Sequence, residues 1–129
     1  MPSPDGEIQA WLTKADHDLT SAKILLDHDP PVVDTALFHC QQTAEKVLKA
    51  FLVSRDQAFE KVHSLVYLIE LCRDHDAEFE ELRPHAELLS PFAVVTRYPG
   101  DVVNVSSAQA RSVLKAAEDI VEFVNARMR

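Results

Sequence analysis

The chain has 129 residues, 47% of them hydrophobic and 26% charged, with two glycines and a formal net charge of −8. That length suits one domain around a single core and is too short for two ordinary ones. The acidic balance argues against the broad basic surface that non-specific nucleic-acid binding requires. No apolar run is long enough to span a bilayer, and MPSPDGEIQA does not resemble a signal peptide, so a cytoplasmic location is expected. Cys40 and Cys72, the only cysteines, fall at apolar helical positions outside any CxxC pair and read as reduced core thiols.

Residues 1–6 read as a disordered lead, with Asp5 placed to cap a first helix that runs to about Asp27. Ile8, Trp11, Leu12, Ala15, Leu19, Ala22, Leu25 and Leu26 form its apolar arc, and Asp18 falls inside it. That acid is either a boundary residue turned to solvent or a buried hydrogen-bonding group that fixes a neighbouring helix. Pro30 and Pro31 then break the chain. The next stretch, ALFHCQQTAEKVLKAFL from Ala36 to Leu52, has no Gly, Pro or Asn and predicts a continuous helix to about Ser54. Leu37, Cys40, Ala44, Val47, Leu48 and Phe51 face a core, and Gln41 and Glu45 lie inside or beside that arc. His39, Gln42, Lys46 and Lys49 fall on the other face. A carboxylate on the margin of an apolar stripe must find a partner or shift its pKa, so whatever Glu45 faces is informative.

RDQAFEKVH reads as a connection, and His63-Ser64 as the start of a third, short helix over Leu65 to Cys72. From about Glu78 the periodicity is helical again, but Pro84 and Pro91 predict a short piece followed by a bent one ending near Tyr98. RYPGDVVNVSS is the strongest break in the sequence. Ser106 or Ser107 caps a last helix, to about Arg127, whose core face includes Ala110, Val113, Leu114, Ala117, Ile120, Val121 and Val124. No segment alternates with period two. The expected architecture is all-α: an up-and-down bundle of four long helices plus one short helix, in a single domain over 1–129.

Among patterns that carry chemistry, only Glu60–His63 has the Glu-x-x-His spacing of a di-iron bundle, and it falls in a predicted loop. The six histidines form no zinc-ligand pair, and two glycines leave no phosphate loop, so neither metal nor cofactor is expected. Arg97-Tyr98 stands out. Its guanidinium either pairs with helix-terminal carbonyls or meets Glu45 or Asp18, tying the fourth helix to the second or first, with donors to spare for a phosphate.

Ala15, Asp18-Leu19, Ala22 and Leu25-Leu26, then FHCQQTAEKVLKAFLV from Phe38, His63-Ser64-Leu65 and Thr96-Arg97-Tyr98-Pro99 together resemble the HEPN-domain family over nearly the whole chain. The resemblance implies a bundle of four or five helices, usually a homodimer. It also implies a toxin–antitoxin-like pairing with a minimal nucleotidyltransferase. Many members are metal-independent RNases that use R-x(4–6)-H, paired across the dimer. Here the positions at that spacing from Arg97 are Val102, Val103 and Asn104, and no other arginine reaches a histidine at that distance. Asn104 cannot transfer protons as histidine does. The expectation is a non-catalytic interaction module that binds a nucleotidyltransferase. Asp18, Gln41, Glu45, Lys46, Arg97 and Tyr98 are its candidate nucleotide- or partner-binding residues. The alternative is an RNase toxin that keeps Arg97 as phosphate binder and acts on RNA through a degenerate motif. For the dimer, Trp11, and Leu88, Val94 and Val95 off the main stripe of the fourth helix, are apolar residues an interface can cover.

Overall fold

Val33–Ser54, the longest uninterrupted run of helix formers, becomes the central element of the molecule. The computed structural model describes residues 4–94 and 104–128. Within them, five α-helices follow in order: α1 Pro4–Asp27, α2 Val33–Ser54, α3 Leu65–Arg73, α4 Arg83–Leu89 and α5 Ser107–Arg127. Among the described residues there is no strand, so the all-α expectation holds. No helix of the described residues is long and apolar enough to cross a membrane.

Three of the helices are long, at 24, 22 and 21 residues. The fourth long helix is divided: a 3-10 turn over Ala77–Leu82, α4, then a second 3-10 turn over Ser90–Phe92. Proline supplies the reason. Pro84 lacks a donor and is tolerated only in a first turn, where α4 places it, and Pro91 likewise sits at the head of the second 3-10 turn. Val95 and the expected helix end near Tyr98 lie outside the described residues.

The ends match their capping chemistry. Ser64 accepts from the Tyr67 amide at 3.2 Å and opens α3. Ser106 caps α5 in a reciprocal box, its hydroxyl taking the Gln109 amide at 3.1 Å while Gln109 Oε1 takes the Ser106 amide at 2.8 Å. One start differs from the expectation: α1 begins at Pro4, so Pro4–Gly6 form its first turn and Asp5 sits inside the helix. Proline with its fixed φ is well suited to that first position.

α1 and α2 pack as an antiparallel pair, and α5 lies against α2. Phe79, from the first 3-10 turn, joins the layers: its ring centroid is 4.5 Å from that of Phe51 on α2 and 5.1 Å from that of Phe123 on α5. With neighbours on several sides, α2 buries 13 of its 22 residues, among them Gln41, Thr43, Glu45 and Lys49. The seam between α1 and α2 therefore holds charge as well as hydrocarbon.

Candidate functional site

Ala15 and Ala22, one turn either side of Asp18, are buried and small, which lets α1 approach α2 closely. Asp18 is thereby carried into reach of His39 and Lys46, seven residues apart on one edge of α2. His39 Nδ1 lies 2.7 Å from Asp18 Oδ1, and Lys46 Nζ donates to Oδ2. An ionised carboxylate only accepts, so Nδ1 carries the proton, and Nε2 is the imidazole's remaining nitrogen. Asp18 is thus the buried acid that fixes a neighbouring helix.

One face further round α2, Glu45 is the hub of a second network. Lys49 Nζ donates to Oε2 at 3.0 Å, and His63 Nδ1 meets Oε1 at 2.9 Å. Gln41 and Gln42 each send an amide N–H to Oε1 at 3.4 Å. Gln41 also donates to the His63 carbonyl at 3.0 Å and accepts from Gln42 at 2.8 Å. Because His63 directly precedes the α3 cap, this network docks the head of α3 on α2. Lys49 Nζ also lies 5.4 Å from the Trp11 ring centroid and 5.8 Å from that of Phe59, within cation–π range. Across both networks two carboxylates face two ammonium groups. That balance is what permits charges at this depth.

Of the residues expected from the sequence, Asp18 is bonded to Lys46 across the α1–α2 seam, and Gln41 to Glu45 in the separate network where α3 docks on α2. Arg97 and Tyr98 lie outside the described residues, and so does the expected pairing of Arg97 with Glu45 or Asp18. Among the described residues the lysine partners of those acids are Lys49 and Lys46. Asn104 lies in the exposed lead to α5. The sequence placed His39 and Lys49 on the outer face of α2; instead Lys49 is only 6% exposed and His39 joins the Asp18 network. The one available signal for Lys49 was its i,i+4 spacing from Glu45.

The arrangement offers two carboxylate-held imidazoles, the chemistry of an oriented proton acceptor. His63 is the more accessible, with a side chain 68% exposed against 27% for His39. The thiols offer no nucleophile. Burial pushes Cys40, with the Glu118 charge adding to it, and Cys72 each up to about 12. Among the described residues no group of three or more His, Cys, Asp or Glu is placed to hold a metal ion.

The family model for the HEPN domain matches residues 8–127. A Methanocaldococcus jannaschii protein named "Putative toxin MJ1304" is 28% identical over 130 residues, covering 88% of this chain and 83% of its own. The crystal structure of TT1696 from Thermus thermophilus superposes with a TM-score of 0.75 at 28% identity, over 92% of this chain and 96% of that one. ST0689, an archaeal HEPN homologue, has the same fold with a TM-score of 0.74 at 20% identity, over 95% and 98% of the two chains.

Proposed function

The chain belongs to the HEPN family, and from that premise we propose that it is the HEPN component of a two-component, toxin–antitoxin-like module. It acts by binding a minimal nucleotidyltransferase, as a homodimer, and accepts a nucleotide; it does not cleave RNA. The observation that carries this reading is that the seam's buried charges are spent on one another. Asp18 is held by His39 and Lys46, and Glu45 by Lys49, His63, Gln41 and Gln42. Groups so engaged serve as struts that hold α1, α2 and α3 in register for a partner. Asn104 at the position where the family's RNase motif needs histidine supports the same conclusion, and the relative named as a toxin supports the system-level assignment.

The test is co-purification of the tagged chain with a minimal nucleotidyltransferase from the same genome, in parallel with single-turnover cleavage of a mixed RNA pool in EDTA. Stoichiometric capture with no cleavage is the expected result. Failure to capture the partner overturns the reading.

One observation favours a second reading, an RNase toxin with Arg97 binding phosphate. His39 and His63, each with Nδ1 on a carboxylate, are shaped to supply the base that Asn104 cannot. Cleavage by wild type, abolished in a folded Arg97→Ala variant, selects that reading. A structural Arg97 lowers the melting temperature instead.

A further inference from the structure

The histidines of the chain differ in what holds their rings. His17 is exposed, with no carboxylate partner among the described residues. His28 Nδ1 lies 2.8 Å from the Pro30 carbonyl and His75 Nε2 lies 3.0 Å from Gln57 Oε1, so each is bonded to an uncharged oxygen. His85 reaches Asp119 through Nε2 at 3.5 Å and is half-buried. His39, also half-buried, shares Asp18 with Lys46. His63 alone combines a carboxylate at 2.9 Å from Nδ1 with a side chain that is 68% exposed.

That combination fixes which nitrogen reacts. With Lys49 on its other oxygen, Glu45 acts as an acceptor, so His63 Nδ1 carries the ring proton and donates it. The lone pair is then on Nε2, which makes no hydrogen bond to a described residue. As a bond forms at Nε2 the ring gains positive charge, and Glu45, itself held by Gln41 and Gln42, stands against that charge.

The surroundings select what the nitrogen takes. A metal ion needs further ligands, and among the described residues no group of three or more His, Cys, Asp or Glu is placed to supply them. Acyl imidazoles hydrolyse rapidly in water, whereas phosphoryl imidazoles persist at neutral pH. An anionic group also suits the local field. α3 begins two residues on, where Ser64 takes the Tyr67 amide and the Leu65 and Val66 amides have no intrahelical acceptor. Glu60 and Lys61, just upstream, are opposite in sign, which leaves the head of α3 to set the bias. Two glycines leave no phosphate loop for a nucleoside triphosphate, so the group must arrive on a donor that is already activated.

We propose that His63 is a phosphoryl acceptor, modified at Nε2 by a phosphoramidate donor. The Nε2 lone pair attacks phosphorus, the donor's N–P bond breaks, and the donor nitrogen leaves with the bonding pair, as ammonia when the donor is phosphoramidate itself. One N–P bond replaces another, nothing is oxidised or reduced, and Nδ1 keeps its proton on Glu45. The product places a strongly anionic group at the head of α3 while the His63–Glu45 bond still docks that helix.

The purified chain is incubated with potassium phosphoramidate at neutral pH. Mass spectrometry follows each histidine, and phosphorus NMR identifies the modified nitrogen. The expected result is that His63 is modified several-fold faster than the exposed His17, as a single isomer at Nε2. Glu45→Gln, its fold checked by circular dichroism, brings the His63 rate down toward that of His17 and leaves His17 in the same molecule unaffected. His63→Asn removes the fast phase. The proposal is overturned if wild-type His63 reacts no faster than His17 or reacts at Nδ1. A folded Glu45→Gln variant modified as fast as wild type overturns it equally. Should that variant fail to fold, the wild-type rate ratio and isomer decide alone.

Discussion

Glu45 and Lys49 are a pair that neither partner can leave. With both side chains nearly sealed from solvent, removing Glu45 leaves Lys49 charged and without its carboxylate in the protein interior. Glu45→Ala is expected to destabilise the fold by about 3–5 kcal/mol, read from urea denaturation. Replacing the two together, Glu45→Leu with Lys49→Met, is expected to recover only the part due to the stranded ammonium, since His63, Gln41 and Gln42 still lose their acceptor, and a strictly additive double variant would contradict the burial argument. The two thiols give a prediction of a different kind. Their folded pKa of about 12 exceeds the ordinary 9.0, so between those values the unfolded chain has released protons that the folded chain retains. Stability from this source is therefore complete below pH 9 and is lost as the pH rises from 9 toward 12. At pH 8 a thiol reagent should leave the native protein unmodified and label Cys40 and Cys72 only after denaturation. At this scale the sequence showed Asp18 and Glu45 as acids out of place in apolar arcs, because periodicity exposes such anomalies directly. It did not show His63, whose contact depends on where a loop lies, nor Lys49, whose depth depends on how far neighbours wrap α2.

The helices themselves were the most legible level. α1, α2 and α5 end within a residue or two of the expected positions, since long periodic runs between proline breaks and serine caps leave few alternatives. The region from Ala77 to Phe92 was harder to read. Its apolar spacing is helical throughout, and only the prolines reveal that the backbone changes from 3-10 to α and back. The α5 cap allows a direct check. Ser106→Ala should cost about 1 kcal/mol of stability, and a cycle with Gln109→Ala should be non-additive, because each side chain satisfies the other's backbone amide. Additive losses would mean that the box does not act as a unit.

For the molecule as a whole, the family and its fold follow from nearly the full length of the chain, whereas the proposed homodimer would turn on a few surface positions. Leu88 and Val94 are 51% and 62% exposed, apolar side chains that a homodimer interface would cover. Light scattering at micromolar concentration is expected to give the dimer mass for wild type and the monomer mass for Leu88→Glu. A monomeric wild type removes the dimer from the proposed function. The burial of α2 on several sides has a consequence for anyone redesigning this domain. In most amphipathic helices the polar positions are the tolerant ones, free to carry labels, crosslinkers or altered charge. Here Gln41, Glu45 and Lys49 are among the positions where a substitution disturbs most neighbours, and a deep mutational scan should record the charged half of α2 as nearly as intolerant as its hydrocarbon half. Variation that leaves the bundle intact belongs to the outward positions of the other helices and the connections, and it is there that new specificities can be written without rebuilding the interior.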